Sequence, residues 1–189
     1  MLEDTTNLPN LAAWLVVLTA AAAGAVTDAR ERRLPNALTA PLFISGLVFA
    51  GMAGGLAGFG DSLLASMLLA APYLVLFAVA AGGAGDAKMM AAVGAWLGVW
   101  HGLIALACVA LAGGVMALAI AAATGRFRLV TANLVRAASG AAALAHGQIR
   151  SSELSMLGPK PSEMHRFPYG VAIFAGVAIA FAGVQLWHV

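Results

Sequence analysis

Long apolar runs without a charged residue alternate with short polar stretches along this chain. The runs at 11–27, 37–60 and 62–85 each reach or approach the ~20 residues that a helix needs to cross the hydrocarbon of a bilayer. A longer run at 89–125 has room for two crossings, and the run at 167–189 supplies one more. The pattern therefore predicts an all-α protein, a polytopic membrane helix bundle with about six transmembrane helices.

Composition supports a membrane protein over a soluble one. Apolar residues make up 62% of the 189 positions and charged residues 10%, whereas soluble domains average about 45–50% and 25%. The formal charge of +2 comes from few ions, so we expect no nucleic-acid partner. We expect a single membrane-embedded domain over 1–189, with the segment 124–166 as its only sizeable part outside the helices. Within that segment, 129–149 is apolar enough to lie as an interfacial helix.

The basic residues predict how the bundle is oriented. All ten of them fall on one side, in the segments 28–36, 82–88 and 124–166, and the other side holds none. Loops rich in Lys and Arg stay in the cytoplasm, so these segments are expected there and both termini outside. Residues 1–10 hold no Lys or Arg. The first apolar run therefore lacks the positive flank of a cleavable signal and is expected to remain as a helix.

Two aspartates on the predicted cytoplasmic side are the candidates for chemistry. Asp28 ends the first apolar run, and Asp86 follows Gly83 and Gly85 between the third and fourth predicted helices. If the fourth helix runs over 89–100, with a turn there, it is ~18 Å long, shorter than the ~30 Å of hydrocarbon. The loop that holds Asp86 would then lie below the membrane surface, among the neighbouring helices. An ionisable residue near membrane depth is costly, which makes it a functional candidate.

Two carboxylates on one side of a bundle predict chemistry with a shared proton. Like charges at close range hold one proton between them, so that one group serves as the acid and the other as the base. Such a pair activates water to attack an amide without a metal or a nucleophilic side chain.

Other interpretations of the two acids stay open at this point. Asp28 lies among arginines and fits an interfacial ion pair, and Asp86 fits a helix cap. A small ion or solute transporter would use both acids as binding groups and would process no peptide. A non-enzymatic scaffold would tolerate replacement of either acid.

The residue types in the chain predict neither a metal site nor a cofactor site. Cys108 is the one cysteine and lies in an apolar run, so it is expected to pack as a small hydrophobe. The four histidines have no paired metal-ligand spacing. The stretch from Gly83 to Lys88 fits neither a dinucleotide fingerprint nor a P-loop, because it lacks the further glycines that each requires.

Three short motifs follow one another along the chain, each at the predicted cytoplasmic end of a helix. Asp28 is followed, after five residues, by Leu34-Pro35-Asn36. The next motif is Gly83-Ala84-Gly85-Asp86-Ala87-Lys88, and the last is Pro168-Tyr169-Gly170. Together they resemble the motifs of the type IV prepilin leader peptidases, over roughly residues 11–183.

The resemblance implies a membrane aspartic endopeptidase of the bacterial inner membrane whose active site faces the cytoplasm. Its members cut the short basic leader from pilin-like precursors, just ahead of a hydrophobic segment. By position, Asp28 and Asp86 match the family's two catalytic aspartates. Gly83 and Gly85 would let the loop bend against the peptide, and Lys88 would pair with the substrate or orient Asp86. The implied partners are a prepilin or pseudopilin precursor, membrane lipid and the pilus assembly machinery.

The resemblance also points to a branch of the family. Many members carry an N-terminal methylating domain with two Cys-x-x-Cys pairs, whereas this chain has one cysteine and a first helix from about residue 11. It is similar to the peptidase-only branch of tight-adherence (Flp-type) pilus systems. Presenilin-like proteases share the Gly-x-Gly-Asp motif and are the alternative within the same class, but their Tyr-Asp context for the partner aspartate is absent here.

Overall fold

The computed structural model describes residues 11–80, 83–125 and 169–187, with three single positions at 135, 139 and 142. Regular structure in these residues is helical throughout, as the apolar runs predict. The helices are α1 (Leu11–Glu31), α2 (Asn36–Ala80), α3 (Ala84–Thr124) and α4 (Tyr169–Trp187). All four are long and apolar enough to cross a membrane. The all-α membrane class is therefore confirmed, whereas the predicted count of about six spans is not.

The count differs because α2 and α3 are each longer than one crossing requires. They contain 45 and 41 residues, and each includes one glycine whose backbone is not helical. Gly55 has φ 60° and ψ −144°, and Gly98 has φ 68° and ψ −176°. This region of backbone space is accessible to glycine and costly for every residue with a side chain. The two glycines therefore mark the points at which α2 and α3 bend.

Contacts between positions eight residues apart show how sharp the bends are. A Cβ added at Gly51 would lie 3.8 Å from the Cβ of Phe59, and one at Gly102 would lie 3.9 Å from the Cα of Gly94. Eight residues of straight helix span ~12 Å. Both helices therefore fold back on themselves. The second bend, at Gly98, lies slightly ahead of the turn that the sequence predicts near residue 100.

Asp61 stabilises the bend in α3 from the neighbouring helix. Its Oδ2 accepts a hydrogen bond of 3.2 Å from the backbone N–H of Val99, the residue that follows Gly98. A side chain at Gly98 would collide with the same carboxylate. Since the N–H groups of a helix's first turn have no partner within the helix, Asp61 acts as a cap for the second half of α3.

The first half of α3 lies at the centre of the bundle. Met89, Met90 and Val93 are buried there, together with Trp14 of α1 and Ile173 of α4. Small residues let the backbones come close, as is usual for helices in lipid. A Cβ at Gly94 would lie 2.7 Å from the backbone oxygen of Ala65 in α2.

Two hydrogen bonds between side chain and backbone fasten α2 to α3. The Ser62 hydroxyl donates to the carbonyl oxygen of Ala95, and the Trp96 indole N–H donates to that of Leu42 at 2.8 Å.

The outer surface of the bundle is apolar. Large side chains such as Met52 and Leu56 are 84% and 88% exposed, which a bilayer accommodates and water does not.

The predicted interfacial helix at 129–149 lies outside the described residues apart from single positions. Residues 1–10 and nearly all of the segment 124–166 also lie outside them.

Candidate active site

Asp28 lies in the last turns of α1 with its side chain buried, at 6% exposure. Arg32 ends the helix: it adopts a left-handed conformation with φ 53°, and its N–H donates to the carbonyl oxygen of Asp28 at 2.9 Å. The backbone N–H of Gly170 donates a hydrogen bond of 2.7 Å to Oδ2 of Asp28. Among the described residues, the ion pair found in this region joins Arg33 to Glu31. The Asp28 carboxylate is therefore held by backbone rather than by the neighbouring arginines.

The contact with Asp28 depends on residue 170 being glycine. A Cβ there would lie 2.9 Å from the Cβ of Asp28 and 3.2 Å from the carbonyl oxygen of Gly24. The first distance is too short for a side chain, and the second is tight. Gly170 is in the first turn of α4, where N–H groups lack partners within the helix and favour a negative charge. The end of α1 and the start of α4 are thus joined at the Asp28 carboxylate.

Asp86 lies in the first turn of α3, which begins at Ala84 and not at residue 89 as the sequence predicts. Its N–H donates to the carbonyl oxygen of Gly83 at 3.2 Å. A Cβ at Gly83 would lie 3.0 Å from Oδ2 of Asp86, and a Cβ at Gly85 would lie 3.1 Å from Cβ of Leu34. Gly83 therefore leaves room for the acid, and Gly85 lets α3 pack on the Leu34-Pro35-Asn36 motif.

The structure brings the two acids into one region. The Asp28 carboxylate lies close enough to Asp86 to interact with it electrostatically. Helices α1 and α3 are direct neighbours here, since a Cβ at Gly24 would lie 3.8 Å from the terminal methyl of Met89. Asp28 is buried and Asp86 is half-buried, so Asp86 is the more accessible of the two acids.

A hydrogen bond joins Lys88 of the second motif to Asn36 of the first. The Lys88 ammonium donates to the Asn36 amide oxygen at 2.8 Å, linking the first turns of α3 to the start of α2. Pro35 opens α2, because its carbonyl oxygen accepts hydrogen bonds from Leu38 N–H at 3.0 Å and Thr39 N–H at 3.2 Å. The sequence favours a bond from Lys88 to the substrate or to Asp86, and in the structure Lys88 binds Asn36.

Tyr73 also lies at this end of the bundle, although none of the three sequence motifs includes it. Its side chain is 7% exposed, and its ring makes an edge contact with that of Tyr169, with centroids 5.8 Å apart at an angle of 69°. The hydroxyls of the two tyrosines are hydrogen-bonded to each other, and both lie within electrostatic range of Asp86. One signal was available: Pro72-Tyr73 in an apolar run repeats the dipeptide Pro168-Tyr169, and a buried tyrosine hydroxyl needs a partner.

The described residues therefore bring nearly all the predicted site residues to one end of the bundle. Pro168 lies outside the described residues. The part of the chain that is described contains no group of three His, Cys, Asp or Glu side chains able to hold a metal ion.

These helices and their paired acids define a multi-pass membrane protein with a carboxylate site at the helix ends. The model of the type IV leader peptidase family matches residues 14–118, more than half of the chain. The chain belongs to that family, and the resemblance carried by its motifs is confirmed at this level. The matched range includes Asp28 and Asp86, whereas Tyr169 and Gly170 lie beyond it.

Curated relatives include the prepilin leader peptidase/N-methyltransferase of Aeromonas hydrophila and that of Aeromonas salmonicida strain A449. Each is 41% identical to this chain over 86 residues, which cover 40% of the chain and 28% of the relative. The match therefore spans less than a third of each relative's length. No solved structure matches the chain.

Proposed function

We propose that this chain is a membrane aspartic endopeptidase that cleaves the short basic leader from prepilin-like precursors at the cytoplasmic face of the membrane. The observation that carries the proposal is that Asp28 and Asp86, from two different helices, lie within electrostatic range of each other at one end of the bundle. Membership of the type IV leader peptidase family supports the same reaction.

The two acids take different parts in the proposed reaction. Because Asp28 accepts a hydrogen bond from Gly170 N–H and is so held in place by the backbone, we assign Asp28 as the base and Asp86 as the protonated partner. Asp28 removes a proton from water as the water oxygen attacks the scissile carbonyl carbon. Asp86 donates a hydrogen bond, and then its proton, to the carbonyl oxygen. The C–N bond breaks as Asp28 passes the proton it took from water to the amide nitrogen and Asp86 takes back a proton from a hydroxyl of the tetrahedral intermediate. The products are the carboxyl group of the leader and the amine of the mature chain.

The bends at Gly55 and Gly98 support a proposal for the topology. If each half of α2 and α3 crosses the bilayer, the bundle has six crossings, with both termini outside the cytoplasm. The helix ends that hold Arg30 and Lys88 then face the cytoplasm, in accordance with their charge. We propose the bacterial inner membrane as the location.

The substrate class follows from the same arrangement. A basic leader is attracted to the acids, and the hydrophobic segment that follows it can stay in lipid beside the apolar outer surface of the helices. The expected partners are a prepilin or pseudopilin precursor, anionic lipid at the basic loops, and the pilus assembly machinery. The tight-adherence branch remains the subtype that we propose.

The test is cleavage of a prepilin-type peptide, with a basic leader followed by a hydrophobic segment, by the purified chain in detergent. Mass spectrometry of the products identifies the bond that is cut. We expect Asp28→Asn and Asp86→Asn each to abolish cleavage while the protein still accumulates, because Asn keeps the shape of the side chain but can neither take up a proton from water nor donate one to the carbonyl oxygen.

Glu31→Gln is the matched control for loss of an acid. Glu31 is exposed, lies three residues from Asp28, and pairs with Arg33 at 3.5 Å. We expect this variant to cleave like the wild type. Cleavage by either Asp variant above a protein-free control would reject the pair as the catalytic groups.

A further inference from the structure

Tyr73 and Tyr169 form a buried pair beside Asp86 that comes from two different helices. Tyr73 is in the second half of α2, and Tyr169 is the first residue of α4. Their rings meet edge to face, and their hydroxyls are hydrogen-bonded to each other. Both lie within electrostatic range of Asp86. Polar groups among apolar membrane helices are costly, so this pair is a candidate for a functional role.

Packing fixes the position of Tyr169 on two sides. A Cβ at Gly113 in α3 would lie 2.6 Å from the Tyr169 hydroxyl oxygen, so the ring rests directly on this glycine. The next residue, Gly170, is bound to Asp28. The first turn of α4 thus contacts Asp28 through its backbone, and its tyrosine lies within electrostatic range of Asp86.

The hydrogen bonds of the pair leave one proton to donate. Each tyrosine hydroxyl carries one proton and also accepts. The bond between the two hydroxyls uses one of the two protons, so the second is available to another acceptor. Asp86 is the acidic group within electrostatic range of both hydroxyls.

We infer that Tyr73, through Tyr169, is a positioning residue for Asp86, with the free proton of the hydroxyl pair donated to one carboxyl oxygen of that acid. The other oxygen of Asp86 then carries the catalytic proton and is turned toward Asp28 and the scissile carbonyl. The inference rests on the proposed function and adds to it a second residue pair that orients the acid.

Tyr73→Phe tests the inference, since it removes the hydroxyl and keeps the ring contact. With the prepilin-type peptide as the probe, we expect kcat to fall about 10-fold, as for the loss of one hydrogen bond to an ionisable group, with KM unchanged. Tyr169→Phe should have the same effect. The double variant should lose no more than either single variant, because the two hydroxyls act as one unit.

Ser66→Ala is the control for loss of a buried hydroxyl away from the site. The Ser66 hydroxyl donates to the Ser62 carbonyl oxygen at 2.8 Å, so its removal affects stability but leaves kcat unchanged. Equal kcat for Tyr73→Phe and the wild type would overturn the inference, as would a fall in kcat matched by Ser66→Ala.

A pair of glycine variants tests the same inference without altering either tyrosine. Gly113→Ala pushes the Tyr169 ring away from its place and should lower kcat by a similar factor. Gly114→Ala, on the same helix, has open space around its new methyl group and should leave kcat as it is. An equal response of the two variants would contradict the positioning role.

The outcomes separate this inference from the proposed function. If the wild type leaves the peptide intact, the proposed function fails and the inference fails with it. If the wild type cleaves the peptide and the Asp variants do not, whereas Tyr73→Phe retains full kcat, only the inference fails.

Discussion

The backbone N–H of Gly170 donates a hydrogen bond of 2.7 Å to the carboxylate of Asp28 and so joins the first turn of α4 to the last turns of α1. The bond uses a donor that the start of a helix leaves free. It is made at a buried acid, where each oxygen needs a partner. The geometry of the candidate site thus depends on a contact between residues at opposite ends of the chain.

Gly170→Ala should disrupt this contact. The added methyl group would meet the Cβ of Asp28 at 2.9 Å, so α4 or the acid must shift. We expect peptide cleavage to fall by at least about 10-fold, since small displacements of catalytic groups have effects of this size or larger. Gly183→Ala is the control, because it lies on the same helix with open space around it. Similar activities for the two variants would exclude a role for the close approach.

The hydrogen bond between Lys88 and Asn36 should couple two of the motifs. We expect Lys88→Met and Asn36→Leu each to lower kcat/KM by about 5-fold, and the double variant to lose no more than the stronger single change, because both remove the same bond. Arg30→Met removes an exposed basic residue nearby and serves as the control. Losses that multiply in the double variant would show that the two residues act independently.

The sequence predicted the helical class correctly and marked two acids whose catalytic role stays a prediction, because both features leave local signals. Long charge-free runs indicate membrane helices, and Asp28 and Asp86 lie in motifs that can be found without a structure. Tyr73 left a weaker signal, since a tyrosine in an apolar run resembles a packing residue. Its role depends on contact with α4, which the chain order alone does not determine.

The helix boundaries show a second limit of sequence patterns. The charged residue Asp61 separates the apolar runs at 37–60 and 62–85, but α2 continues through it and bends at Gly55 instead. A carboxylate can remain in a helix when it accepts a hydrogen bond, and Asp61 accepts one from Val99. The partner of Lys88 could not be predicted either, because Asn36 comes from another helix and the pairing depends on how the two pack.

The bend at Gly98 should be more sensitive to substitution than the bend at Gly55. Both positions need a conformation that costs a residue with a side chain about 1–3 kcal/mol, but only at Gly98 would a methyl group also collide with Asp61. We expect Gly98→Ala to lower the melting temperature in detergent more than Gly55→Ala does. Equal melting temperatures for the two variants would show that the contact with Asp61 contributes nothing.

The proposed orientation can be tested by labelling cysteines in intact cells with a reagent that cannot cross the membrane. Cys108→Ala supplies a cysteine-free background. Lys160→Cys should be labelled only after the cells are opened, whereas Gly60→Cys, in open space near the bend of α2, should be labelled in intact cells. The reverse pattern would invert the topology.

The most direct test of the central claim, that Asp28 and Asp86 form one site, is cross-linking in the same cysteine-free background. Asp28→Cys combined with Asp86→Cys should be joined by a bifunctional reagent that spans about 10 Å, or by a disulfide where the Cα atoms come within ~7 Å. Asp28→Cys combined with Asp61→Cys is the control pair, and it should stay unlinked. The account predicts efficient linkage of the first pair only. No linkage of that pair, with both thiols shown to be reactive, would mean that the two acids do not share a site and would contradict the proposed mechanism.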